Sequence, residues 1–287
     1  MSILVEGLTH IYMQDGPFES TAIEDVSLRI EDGEFIGLIG HTGSGKSTLI
    51  QHLNGLLKPT RGKIIIQGMD LTDKSVNMKK IRQAVGLVFQ YPEHQLFEET
   101  VYKDISFGPL NMGMDPSSIQ ERVQTSMELV GMDYEVYKNR SPFELSGGQR
   151  RRVAIAGVIA MRPSILILDE PTAGLDPRGR EEIFSLIRDL HQKNKITIIL
   201  VSHSMEDVSR LADRIIVMNK GKIAMTGKPG EIFAKADLLE EMGLGIPQVT
   251  QLIQALNTIG KNIPTDIFSL EDIKTVILEC IRSREHA

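Results

Sequence analysis

Apolar and polar residues alternate near the start of the chain, at Ile3 and Val5 and again at Val26, Leu28 and Ile30. A period of two marks strands with one buried face, so the pattern predicts antiparallel strands on either side of the polar stretch from Asp15 to Thr21. The pattern then changes. Phe35-Ile-Gly-Leu-Ile39, Ala84-Val-Gly-Leu-Val-Phe-Gln90, Ile165-Leu-Ile-Leu168 and Ile196 to Val201 are short, almost unbroken apolar runs, as expected of strands buried on both faces. Ile64-Ile-Ile66 reads as a further strand between turns at Lys58-Pro-Thr-Arg-Gly62 and at Gly68 to Asp70. From Pro92 to Pro142 strand signals vanish, and Ile119, Val123, Met127 and Val130 recur at helical spacing between Pro116 and Gly131. Arg214 to Met218 and Lys222 to Met225 predict a hairpin about Asn219-Lys-Gly221. Beyond it only helical signals remain, with Ile273, Val276, Ile277, Cys280 and Ile281 on one face. The whole reads as α/β, with an antiparallel layer, a helical insertion and a small helical C-terminal region.

Composition narrows the function classes. With 287 residues the chain can bury one large domain and an appendage, and a net charge of −6 argues against a nucleic-acid binder, which needs a basic face. The single cysteine, Cys280, excludes an intramolecular disulfide, suits a reducing compartment and is expected to be a small buried apolar residue. Met1-Ser-Ile-Leu-Val-Glu6 has no signal-peptide character, and no run approaches the ~18 to 20 apolar residues that cross a bilayer. A role at a membrane would run through partners.

The chemistry centres on Gly40-His-Thr-Gly-Ser-Gly-Lys-Ser47, which fits the phosphate-binding pattern G-x-x-x-x-G-K-[ST] residue for residue. Glycines at 40, 43 and 45 let successive N–H groups turn toward an anion, and the helix expected from Lys46 points its positive end at the same place. Lys46 adds a full charge near the β- and γ-phosphates, and Ser47 offers a hydroxyl to Mg²⁺. The preceding apolar strand and the helically spaced Leu49, Ile50 and Leu53 give the required strand, loop and helix. This is read as an ATP site.

Leu145-Ser-Gly-Gly-Gln149 opens a second helix. Ser146 with Gln149 makes a capping box, but two glycines weaken a helix start by roughly 1 kcal/mol each, so capping does not explain Gly147 and Gly148; close approach of a phosphate does. Arg150-Arg-Arg152 is read as a solvated face. Asp169-Glu170 ends a buried strand, where a P-loop protein places its metal-side carboxylate, here Asp169, and a base facing the attacking water, here Glu170. Pro171 and Gly174 mark a tight turn, and Asp176-Pro177 starts the next helix. Taken alone, Tyr12 reads as a half-buried aromatic at a strand end and His203 as a structural histidine.

Gly40 to Ser47, Gln90, Leu145 to Gln149, Ile165 to Glu170, Ala173 to Asp176 and His203 together resemble the motif set of ABC-type ATPases, over about residues 2 to 225. The resemblance implies a P-loop NTPase of that type, with an ATP-binding domain at 1–225, a helical subdomain at about 95–160, and a helical region at 226–287 for dimer contacts. ATP and Mg²⁺ are then the cofactors. Tyr12 stacks on adenine, Gly40, His41, Thr42, Gly43, Ser44, Gly45, Lys46, Ser47 and Thr48 hold the nucleotide, and Ser47, Gln90 and Asp169 hold the ion. Glu170, His203 and Gln90 act in catalysis. Ser146, Gly147, Gly148, Gln149 and Asp176 serve the nucleotide of a second subunit, since one phosphate loop and one signature stretch per chain make two composite sites only when two chains meet head to tail.

Gln90-Tyr-Pro-Glu-His-Gln-Leu-Phe97 is similar to the ATPase subunits of energy-coupling factor importers of vitamins and transition-metal ions, and Gly16-Pro17-Phe18 to the second of their two paralogous ATPases. The partners implied are a paralogous ATPase in a heterodimer (or the same chain in a homodimer), a transmembrane coupling subunit and small membrane substrate-binding subunits, without nucleic acid. The implied location is peripheral, on the cytoplasmic side of the cell membrane. The alternatives are the ATPase of a dedicated cobalt or nickel importer, and a soluble non-transport ABC ATPase.

Overall fold

The computed structural model describes residues 2–285, with side chains described as far as Leu278. The chain opens with β1 (Ile3–Tyr12) and β2 (Ser20–Ile30), paired antiparallel, and passes through β3 (Phe35–Ile39) into α1 (Lys46–Leu53). Strands β4 (Arg61–Ile66) and β5 (Met69–Asp70) follow, then α2 (Met78–Ala84) and β6 (Val85–Val88). A helical stretch holds α3 (Val101–Asn111), α4 (Pro116–Leu129), α5 (Tyr134–Tyr137) and α6 (Gly147–Ile159). Alternation resumes with β7 (Ile165–Asp169), α7 (Pro177–Asn194), β8 (Thr197–Val201), α8 (Met205–Leu211), β9 (Arg214–Asn219) and β10 (Lys222–Gly227). Four helices close the chain: α9 (Pro229–Phe233), α10 (Ala236–Glu241), α11 (Gln248–Thr258) and α12 (Leu270–Glu285).

The strands form an antiparallel sheet in the order β2-β1-β4-β5 and a second sheet in the order β10-β9-β3-β8-β7-β6. Within the second, every pairing is parallel except β10 on β9. Strands β3, β6 and β8 are buried along their whole length, which accounts for apolar runs without polar alternation. Side chains still leave a strand on alternate sides. Ile165, Ile167, Ile199 and Val201 join α1 and the inner face of the antiparallel sheet in one core. Leu166, Leu168, Ile198 and Leu200 join α4, α6 and α7 in the other. The parallel sheet is thus covered on both faces, and its carboxyl-end loops remain open for ligands.

The helical spacing at Ile119, Val123 and Met127 corresponds to the buried stripe of α4, whose N-terminus is capped by Asp115. Helices α2, α5 and α8, of seven, four and seven residues, are too short for a periodic signal, and α3 carries Pro109 inside it. β1 runs well beyond the alternation at Ile3 and Val5, and Tyr12 is its last residue. Ile273, Val276 and Ile277 pack with Val249, Ile253 and Ile263 in a small separate core. The expectations for Cys280 and Ile281 lie outside the described side chains.

Candidate nucleotide site

Strand β3, inside the six-stranded sheet, delivers Gly40 to the carboxyl end of its parallel strands, and the loop it opens turns into α1. At Gly40 a Cβ would strike the Met218 carbonyl oxygen and lie against the Ser44 hydroxyl, so only glycine fits between the loop and β9. Gly45 stands at the N-cap of α1 with φ 101°, left-handed backbone that favours glycine, and no side chain caps the helix. The first-turn amides of α1 therefore remain available to an anion. Lys46 is folded back, its Nζ donating to the Gly40 carbonyl at 2.6 Å and the His41 carbonyl at 3.0 Å. Burial lowers its pKa, against the pull of Glu170 and Asp169. The Ser44 hydroxyl is buried without a partner.

A cleft of about 540 Å³ gathers Tyr12, Thr42 to Thr48, Gln90, Asp169, Glu170 and His203 from five separate stretches of chain. His41 does not line it. Its ring turns instead to the Thr42 carbonyl (2.6 Å) and the Asn219 side chain (3.2 Å). Asp169 is the last residue of β7, and Glu170 follows with φ 48°, a left-handed conformation that a non-glycine residue adopts only when its surroundings hold it. The hold here includes the Glu170 N–H donating to the Val201 carbonyl at 3.0 Å. Glu170 Oε1 is buried without a hydrogen bond, 3.7 Å from His203 Nε2. Burial pushes the Glu170 carboxyl up to about 7, and Asp169 adds to this, against the His203 backbone N–H and the Lys46 ammonium. Burial, with Lys46 beside it, lowers the His203 pKa. Burial also raises Asp169, which Lys46 opposes. A carboxylate that titrates near neutrality is suited to take a proton from water.

The second glycine stretch lies in another cleft, also about 540 Å³, where Gly147, Gly148 and Asp176 meet Tyr91, Glu93 and Arg151. The capping box is formed: Ser146 N–H donates to Gln149 Oε1 at 3.0 Å, and Gln149 N–H to Ser146 Oγ at 3.3 Å. Asp176 caps α7 by accepting from the Gly179 N–H at 2.7 Å. A Cβ on Gly147 or Gly148 would meet nothing within 4 Å. Packing inside this chain therefore requires neither glycine. One chain does not bring the signature stretch and the phosphate loop into a single cleft.

The arginine run corrects the expectation of a solvated face. Arg151 is 1% exposed and donates to both Glu93 carboxylate oxygens, at 3.0 and 2.8 Å, and to the carbonyls of Pro171 and Ala173, at 3.1 and 2.9 Å. Burial works to raise the Glu93 pKa, but the Arg151 guanidinium together with the Glu93 backbone N–H holds the carboxyl below its usual range. Arg152 donates to the Val130 carbonyl and to Glu182. These partners lie 20 to 58 residues away in sequence, so local charge patterning could not reveal them. Ser20, Thr21 and Ala22 at the start of β2 also line the first cleft, and no local motif marks them.

Comparison with known proteins bears on the family and the fold. Residues 23–173 match the family model described as ABC transporter. The chain is 59% identical over 284 residues, 99% of both chains, to "Energy-coupling factor transporter ATP-binding protein EcfA2" of Clostridium tetani. It is 60% identical over 285 residues, again 99% of both, to the protein of the same name from Clostridioides difficile. Among solved structures, cbiO1 of Clostridium perfringens, part of the ABC transporter complex cbiONQ, is 38% identical with a TM-score of 0.72, over 88% of this chain and 98% of that one. The cassette MJ0796, solved as a dimer in a post-hydrolysis state bound to ADP and Pi, is 29% identical with a TM-score of 0.70, over 79% of this chain and 98% of its own.

Proposed function

The chain belongs to the ABC transporter family, among the ATP-hydrolysing subunits of energy-coupling factor importers, and we propose that it powers uptake by closing on a second ATPase subunit. The likeness of Gly16-Pro17-Phe18 to the second paralogue agrees with the EcfA2 designation of its relatives. The observation that carries the dimer is the pair of bare glycines at the α6 N-terminus, for which the chain itself has no use. A phosphate presented by the partner fills that space, while this chain's phosphate loop is covered by the partner's signature stretch. ATP holds the pair closed, and loss of the γ-phosphate contacts releases it.

In this reading Tyr12 stacks on the base, the loop amides and Lys46 hold the triphosphate, and Glu170 takes the proton of the attacking water. His203 contacts the γ-phosphate. Ser47, Gln90 and Asp169 are hard oxygen donors in the same cleft and fit Mg²⁺, which neutralises phosphate charge when bound. No group of three or more His, Cys, Asp or Glu among the described residues could hold an ion alone, which fits an ion shared with the phosphates. Residues 1–225 act as the ATP-binding domain, with the helical subdomain at about 95–160, and 226–287 contribute dimer contacts.

Lys46→Ala is expected to weaken ATP binding about tenfold to a hundredfold, the range for hydrogen bonds to a charged group. The loss stays moderate because the ammonium leaves two loop carbonyls when it turns to the phosphates. Equilibrium titration with ATP measures this, and unchanged affinity would remove the loop's assigned role.

No helix among the described residues is long and apolar enough to cross a membrane. In this reading the coupling runs through a transmembrane subunit, with this chain on the cytoplasmic face. The helical subdomain offers the docking surface. A cavity of about 530 Å³ opens between β6 and helices α3 and α6, and Phe97 and Phe107 stand edge to face at 5.0 Å on its wall, 58% and 44% exposed. The cargo is a vitamin or other micronutrient carried by separate small membrane subunits. Affinity purification of the tagged chain from gently solubilised membranes tests the assembly. Recovery of a second ABC ATPase, an integral membrane subunit and small apolar proteins is expected; recovery of ribosomal or DNA-associated partners would leave the ATPase without this role.

A further inference from the structure

Behind the base platform lies a buried imidazole pair that the ATP cycle above does not use. His10 on β1 is 8% exposed and His52 on α1 is 0% exposed. His52 Nδ1 meets the Thr48 carbonyl one helical turn earlier, at 2.7 Å, so it carries the proton, and neutral His52 offers the lone pair on Nε2. His10 Nδ1 lies 3.1 Å from that lone pair and supplies the next proton. His10 Nε2 is then left as an acceptor, and it is buried without a partner. Burial, with His10 adjoining, lowers the His52 pKa and favours this neutral arrangement.

On its other side His10 meets Tyr12. The two rings stand edge-on with centroids 4.4 Å apart and an interplanar angle of 79°. The Tyr12 hydroxyl lies 3.2 Å from Thr48 Oγ1. Two routes therefore tie Tyr12 to the same residue of the phosphate-loop helix. One is direct through the hydroxyl, and the other runs through His10 and His52 to the Thr48 carbonyl. Thr48 itself follows Lys46 and Ser47.

Space filling does not require imidazoles here. Leucine or phenylalanine would pack the same volume without leaving a buried acceptor unmatched, which is destabilising. Directional hydrogen bonds fix separation and ring plane, as apolar contact does not. We propose that His10 and His52 are positioning residues that set the offset between the base-stacking ring of Tyr12 and the phosphate loop. A nucleotide then engages base and triphosphate together without rearranging the site. The inference rests on the reading of Tyr12 as the base platform.

The test compares two ligands on the full-length chain, ATP and tripolyphosphate, which has the phosphates but no base. Tyr12→Ala sets the scale and is expected to weaken ATP about fivefold or more, as loss of a base–aromatic stack does, with tripolyphosphate within about twofold. His10→Leu and His52→Leu are expected to weaken ATP about threefold or more and to leave tripolyphosphate within the same limit. His10→Asn, which keeps a donor near the Nδ1 position, should recover most of the loss. Equal weakening of both ligands would assign the histidines to the stability of α1 and overturn the proposal. So would unchanged ATP affinity in the leucine variants while Tyr12→Ala shows its effect. If Tyr12→Ala itself leaves ATP affinity intact, the platform reading falls and takes the inference with it. Should His52→Leu fail to fold, the contrast between His10→Leu and His10→Asn decides.

Discussion

Glutamine in place of Glu170 should slow ATP turnover about 10²- to 10⁴-fold, the range for loss of a general base, while ATP still binds. The carboxylate sits after β7 in a strained conformation with one oxygen free of hydrogen bonds, and burial has raised its pKa to about 7. An amide of nearly the same shape keeps the packing and cannot accept a proton from water. Single-turnover hydrolysis and equilibrium ATP binding separate the two effects, and normal turnover would end the assignment. The same variant carries a stability prediction. A carboxyl whose folded pKa is raised favours folding while protonated, and this contribution is fully present below the unfolded value and fades as pH rises through about 7. In the nucleotide-free, metal-free chain Glu170→Gln should therefore stabilise the fold at pH 8 by on the order of 3 kcal/mol, and hardly at all at pH 4. Denaturant midpoints at the two pH values measure it. An equal gain at both would show that the Glu170 carboxyl is not raised in the folded chain.

Removing Arg151 should have the largest effect on stability. Its guanidinium is buried, pairs with both oxygens of Glu93, and closes the carbonyls of Pro171 and Ala173, so it joins the segment after Gln90, helix α6 and the turn after Glu170. Arg151→Ala leaves a largely covered carboxylate and two carbonyls without their donor, and is expected to cost about 3 kcal/mol, the lower end of the range for a fully buried pair. Replacing both partners removes the unpaired charge, so Glu93→Leu with Arg151→Met should regain at least about half of that loss. Urea unfolding of the two single variants and the double variant gives the answer. A harmless Arg151→Ala would mean that water or another cation reaches Glu93.

Much of the site was legible because its residues sit in local patterns imposed by local chemistry. The phosphate loop needs glycine at fixed spacing ahead of Lys46 and Ser47, and a carboxylate pair closes an apolar strand at Asp169 and Glu170. The likeness to a known motif set then drew in Tyr12 and His203, which local reading leaves as ordinary aromatic and structural residues. Helix α2 stayed hidden because it buries a single apolar residue, and α3 because Pro109 reads as a helix breaker although it shares one buried face with Val101 and Ile105.

By itself the sequence determined the buried apolar strands, the phosphate loop, the acidic strand end and the signature stretch, since each is a short-range pattern dictated by backbone geometry and burial. Tertiary structure decided what distant residues do to one another. It turned an apparent solvated arginine into a buried clamp on Glu93, and placed His10 against His52 behind Tyr12. It also set the first glycine stretch and the second in different clefts. Hydrogen-bond partners dozens of residues apart leave no periodic trace in a chain, because their pairing exists only once the sheets and helices have packed.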